Sequence, residues 1–149
     1  MIYETKFDQH FLDEVNPVWE DARSYPQQVI KLTLAGAINY SAAYWEEYPR
    51  FPAHPVWAWG VFPYWEGVGE IWMLFDKRAE NHTFKIVREA RRAIALLEGP
   101  LWSFHRIFGQ FDTRVRENYK LARLLGFEEE GLLRKHVGKN DYAVYARVH

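Results

Sequence analysis

"GEIWMLFDKRAENHTFKIVREARRAIALLEGPLWSFHRIF", Gly69 to Phe108, holds the pattern on which the fold turns. It opens with a short apolar and aromatic run, Gly69–Phe75, crosses a polar loop at Asp76–Asn81, and then changes period. From Thr83 to Glu98, Phe84, Val87, Ala90, Ile94 and Leu97 form one apolar stripe at helical spacing, with Lys85, Arg88, Glu89, Arg91 and Arg92 off it. Asn81 and Thr83 are of the types that cap a helix N-terminus, and Gly99-Pro100 ends the helix. "LWSFHRIF", Leu101–Phe108, then reads as a second strand. A strand, a crossover helix and a further strand of one sheet make two parallel neighbours.

Working outward, "VWAWGVF" (Val56–Phe62) and Gly69–Phe75 lie either side of "PYWEGV" and predict an antiparallel hairpin. Before them "YPRFPAHP" packs three prolines into eight residues and reads as an extended loop. From Gln27 to about Glu46, Val29, Leu32, Ala35, Ala37 and Ala43 give a helical pattern, with a strand for part of it as the alternative. Phe11, Val15 and Trp19 predict a helix within Phe7–Arg23, which Tyr25-Pro26 breaks. Downstream, "VRENYKLARLLGFEEEG" (Val115–Gly131) predicts a helix opened by Asp112 or Thr113 and stopped by a glycine cap at Leu125-Gly126-Phe127. Leu132–Val137 and Tyr142–Val148, on either side of "GKND", predict a closing hairpin. The expected fold is α/β (α+β): a mixed, mostly antiparallel central sheet flanked by helices, with one parallel strand-helix-strand crossover. We expect a single domain over 1–149, with a helical part at 1–50 and the sheet at 55–149.

Composition narrows the function. With a net charge of −1 and no basic block, a nucleic-acid surface is not expected. No apolar run is long enough to span a bilayer, and "MIYETKFDQHF" lacks a signal peptide's apolar stretch. The chain has no cysteine, hence no disulfide and no thiolate chemistry, which fits a reducing interior. Its six histidines lack metal-ligand spacing, so no metal is expected. Seven tryptophans are many, and some are expected at a groove or interface.

From Pro55 to Val148 the chain resembles the GNAT acyltransferase superfamily. There a strand leads into Arg/Gln-x-x-Gly-x-Gly/Ala, whose amides open a long helix and hold the pyrophosphate of acyl-CoA. "RAENHT" stands at that place: Arg78 matches the first position, while Asn81 and Thr83 replace the glycines. Asn tolerates left-handed geometry and can keep the turn. The family's later helix begins at an Asn and carries a Tyr before Leu-Gly-Phe. Here Leu125-Gly126-Phe127 is present, Val115 and Ala122 fill those two places, and Asn118 and Tyr119 lie nearby. The strands "WAWGVFP" and "GEIWML" resemble most the GNAT-like proteins of tailed bacteriophages and prophages, one branch of which is an internal virion component.

The resemblance implies acetyl-CoA, or another acyl-CoA, as cofactor and an amine as acceptor. Cofactor contacts are expected from the main chain of Met73, Leu74 and Phe75, and from Arg78, Asn81, His82, Thr83 and Asn118. Glu70, at the start of its strand, is the nominated general base, against a plain solvated glutamate. His105 is a second proton acceptor, against a hydrogen-bonded sheet histidine, and Tyr119 a stand-in proton donor, against a packing role. Trp57, Trp59, Trp65, Trp72 and Trp102 line either an acceptor groove or the core. The expected function is acyl-CoA-dependent N-acyltransfer in the cytoplasm. The alternatives are a virion-associated assembly protein, with phage structural proteins or a second copy as partner, and an acyl-CoA sensor.

Overall fold

The structure, a computed structural model, describes residues 1–15 and 41–149. Among the described residues seven strands form one sheet, in the order β1-β2-β3-β4-β5-β7-β6. They are β1 (Ile2–Thr5), β2 (Ser41–Tyr48), β3 (Phe51–Trp65), β4 (Val68–Phe75), β5 (Arg106–Asp112), β6 (Glu128–Val137) and β7 (Asn140–Val148). Among the described residues the helices are α1 (Gln9–Glu14), α2 (Thr83–Glu98) and α3 (Arg116–Leu124), with a 310 turn at Lys77–His82. β4 and β5 run parallel, whereas β1–β2, β2–β3, β5–β7 and β6–β7 are antiparallel. The mixed sheet and its one parallel crossover are those expected. The chain divides into two compact units, Met1–Phe62 with Trp72–Thr83, and Pro63–Ile71 with Phe84–His149.

In the first unit Asp8 caps α1, its side chain accepting from the Phe11 N–H. Phe7, Phe11 and Val15 pack with Ala43, Trp45, Ala58, Trp72 and Leu74 in one apolar cluster. Close approach fixes a glycine here: a Cβ on Gly60 would stand 2.4 Å from the Trp72 ring. Of the helix expected over Gln27–Glu46, residues 27–40 lie outside the described residues, and Ser41–Glu46 is strand β2. Ala42 to Glu46 are all buried. A strand covered on both faces loses its alternation, and a run of apolar residues then mimics a helix. α1 ends at Glu14, so Val15 is its cap, and residues 16–23 of the expected first helix lie outside the described residues. The helical reading of 1–50 also missed β1, whose residues pair from Ile2↔Glu46 to Thr5↔Ala43. The proline-rich segment is no loop from Phe51 onward but the start of β3. Register shifts at Tyr44/Trp45 and Glu46/Tyr48 relax the ladder opposite its prolines, which have no N–H to give.

In the second unit α2 buries Ile86, Ala90, Ala93, Ile94 and Leu97. That stripe is rotated from the expected one: Phe84, two residues and about 200° round the helix from Ile86, is 95% exposed. β5 begins at Arg106 rather than Leu101. Leu101–His105 is spent on a turn in which Ser103 takes φ 52° and the Phe104 N–H donates to Leu97 O. The N-cap of α3 is Val115, with no side-chain bond; Asp112 instead accepts from the Arg114 N–H and its guanidinium. Thr113 bonds to Asp141 O. At the other end Gly126 has φ 83°, its N–H donates to Arg123 O and that of Phe127 to Ala122 O. This paired closure satisfies the last carbonyls and turns the chain into β6. The closing hairpin forms as expected, with longer strands.

Candidate functional site

In the second unit, the parallel ladder runs from Val68↔Arg106 through Gly69↔Ile107 to Glu70↔Phe108. Glu70 is 1% exposed. Tyr64 donates its hydroxyl to Glu70 Oε2 at 2.6 Å, and the Tyr64 ring lies 5.5 Å from that of Phe108. Glu70 Oε1 is buried and has no hydrogen-bond partner among the described residues. Burial pushes the carboxyl up from 4.5 to about 7. Gln110, two residues beyond Phe108 and so on the same sheet face, also carries a buried oxygen without a partner. A carboxylate tuned to neutral pH, with one oxygen held and the other unengaged, can take a proton from an incoming donor.

In the first unit β4 runs out at Phe75, and the loop with the RAENHT segment follows. Asp76, fully buried, caps the 310 turn by accepting from the Arg78 N–H at 2.9 Å, and the Arg78 guanidinium reaches the same oxygen at 3.5 Å. Asn81 is not among the residues with positive φ, so it does not keep a left-handed turn there. Without glycines the segment winds as 310 helix directly into α2. The Thr83 hydroxyl donates to Glu80 O, which ties the turn to itself. His82 meets Glu46 at 2.9 Å. Burial opposes the Glu46 charge, but hydrogen bonds from Tyr48 and His82 outweigh it and hold the carboxyl below its ordinary value. Met73 and Phe75 are half-buried and Leu74 is core, with Phe75 stacked on Trp57 at 6.3 Å and Trp57 on Tyr44 at 4.6 Å.

Arg78, whose side chain is 46% exposed and held by one long contact, is the cation that this turn offers to a pyrophosphate. The anion does not find the open glycine cradle. The structure thus brings Met73, Leu74, Phe75, Arg78, Asn81, His82 and Thr83 together along one strand end and turn.

The remaining nominees belong to the second unit. Asn118 and Tyr119 are half-buried on α3. The Tyr119 hydroxyl lies beside the Thr113 side chain, and burial raises its pKa. Ala122, 2% exposed, places a methyl group where the resemblance implies a tyrosine. His105 precedes β5 and is exposed, its ring beside Gly67, so it is not a strand histidine. Trp57, Trp59 and Trp72 are core, whereas Trp65 is 67% exposed. Three contributors escaped the sequence reading: Tyr64, Glu46 and Asp76. Tyr64 lies six residues from Glu70 across the hairpin turn, a spacing that a hairpin reading offers. Glu46 was hidden because the sequence pattern set it at the end of an expected helix, whereas it lies on β2.

Among the described residues no group of three His, Cys, Asp or Glu is placed to hold a metal, and no helix is long and apolar enough to cross a membrane. No family model matches the chain, and no curated protein matches it by sequence. Solved structures do. An acetyltransferase of the GNAT family from Bacillus anthracis superposes with a TM-score of 0.70 at 14% identity, over 99% of this chain and 94% of that one. Ribosomal-protein-S5-alanine acetyltransferase from Vibrio fischeri gives 0.63 at 14%, over 94% and 81%. A spermidine N-acetyltransferase chimera from Vibrio cholerae gives 0.69 at 12%, over 99% and 95%. At such identities the likeness establishes the fold, and the chain has the GNAT fold.

Proposed function

We propose that this chain is an N-acyltransferase that uses acyl-CoA, with Glu70 as general base. The observation that carries the reading is the state of Glu70: buried, raised to about 7, with Tyr64 on one oxygen and no partner on the other. An amine acceptor arrives protonated at neutral pH and must lose a proton before it attacks. Glu70 Oε1 is buried, so that proton reaches it through a bridging water, and a base with a pKa near the working pH accepts it best. Tyr64 orients the carboxylate through Oε2. Arg78 holds a pyrophosphate at the turn, whose own amides are spent within the 310 winding, and main-chain groups of Met73, Leu74 and Phe75 align the acyl carbonyl. Acyl-CoA, when bound, supplies the acyl group and the thiolate leaving group. The fold shared with the acetyltransferases above supports the class.

A second reading, a phage virion or assembly component that keeps the fold without turnover, is favoured by Ala122 and Val115 in place of the polar pair and by the self-bonded 310 turn. Titration of the purified protein with acetyl-CoA by calorimetry decides between them. Micromolar affinity supports the transferase and warrants an amine screen. An absence of heat up to millimolar ligand overturns it in favour of the assembly role.

A further inference from the structure

We propose that a second pocket, floored by β7 and walled by α3, binds a small organic phosphate such as a nucleotide. The pocket encloses about 310 Å³, at the small end of the roughly 300–1,000 Å³ typical of ligand sites. Arg116, Lys120 and Arg123 line it, at i, i+4 and i+7 of α3, so one helix face presents three cations to the same space. Among the described residues none of the three is in an ion pair, whereas Arg106, Arg114 and Arg147 are tied to Glu130, Asp112 and Glu98.

The floor supplies the independent sign of a ligand. Tyr145 is 2% exposed and lines the pocket, yet its hydroxyl has no hydrogen-bond partner among the described residues. That hydroxyl is not one of the fully buried atoms that lack a partner, so it opens into the pocket, where a ligand can meet it. A phosphate oxygen accepts from that hydroxyl while the guanidinium groups make paired, charge-assisted bonds to the others. The pocket is too large for bare phosphate to fill. The Tyr119 ring, 5.6 Å from Tyr145 and tilted 42° to it, offers a flat wall for a sugar or base. Glu129, the one anion in the lining, accepts from a ligand hydroxyl or amine and leaves the lining net cationic. None of these residues belongs to the Arg78–Thr83 turn, and Tyr119 alone is also nominated for acyl transfer, so acetyl-CoA is titrated beside the nucleotide.

The test is calorimetry with AMP, inorganic phosphate and acetyl-CoA as separate probes, on the wild type and on folded variants verified by circular dichroism. AMP binds the wild type, inorganic phosphate more weakly. Lys120→Gln with Arg123→Gln weakens AMP by about tenfold or more, as expected for lost charge-assisted bonds. Tyr145→Phe weakens it by about threefold, one neutral hydrogen bond. Arg134→Gln, an exposed cation on β6 outside the pocket, leaves it unchanged. No heat from AMP at millimolar concentration, an equal loss in the Arg134 variant, or competition between AMP and acetyl-CoA overturns the proposal.

Discussion

The Tyr64 hydroxyl donates to Glu70 at 2.6 Å from a side chain that is itself exposed at the surface, so a solvent-facing phenol orients a buried carboxylate. That bond favours the ionised form of Glu70 against the burial that disfavours it. Tyr64→Phe removes the donor and leaves the desolvation. The Glu70 pKa then rises above about 7, and the pH profile of transfer moves to higher pH with its plateau kept. An unchanged profile across pH 5–9, which is roughly the accessible range, would remove Glu70 from the proton transfer. Glu70→Gln lowers kcat/KM by about a hundredfold or more, with binding of acetyl-CoA unaltered.

The same residue sets a pH dependence of stability. Its folded pKa, about 7, lies above the ordinary 4.5, so between these values the folded protein binds a proton that the unfolded chain has released. Stability therefore falls as pH rises from 4.5 to about 7, and the cost of the buried charge persists above that. In Glu70→Gln this contribution disappears. Urea midpoints measured at pH 5 and 8 should differ less in the variant than in the wild type, and an equal difference would refute the assignment.

Arg78 is the cation of the candidate pyrophosphate turn. Arg78→Ala weakens acetyl-CoA binding by about 1–3 kcal/mol, the range for hydrogen bonds to charged groups. Equal affinity in calorimetry takes the turn out of the site.

Packing supplies a test that does not involve ligands. A Cβ at Gly60 meets the Trp72 ring at 2.4 Å, and Trp72 is itself held by the apolar cluster around Phe7 and Phe11. Gly60→Ala costs about 1–3 kcal/mol of stability, as overpacking does, read as a drop in the urea midpoint. Gly138→Ala, where no atom lies near, brings only the smaller strain of its φ of 59°.

What the sequence made legible was whatever had one buried face. The crossover strand, α2, the stop at Leu125-Gly126-Phe127 and the closing hairpin all carry a period or a glycine that the structure uses. β2 did not, because Ala42 to Glu46 are covered on both sides and lose the alternation that marks a strand. Only the start of β3, Phe51 to Pro55, hid behind its prolines, which sit where the ladder shifts register. Glu70 could be nominated from its place at a strand start, but its burial and its bond to Tyr64 depend on pairing that no local pattern encodes. The wound turn at Lys77–His82 was hidden for a related reason. A missing glycine states what the loop cannot be, and the shape it takes instead is set by Asp76.

Asp76 has a consequence for any anion that visits the turn. Its carboxylate already satisfies the Arg78 amide and shares the Arg78 guanidinium, so the turn comes with a built-in counter-ion. An entering pyrophosphate meets a largely neutralised surface and displaces few salt ions from it. Its affinity then falls less with ionic strength than it would at an unpaired arginine, because Arg78 meets it already partly neutralised.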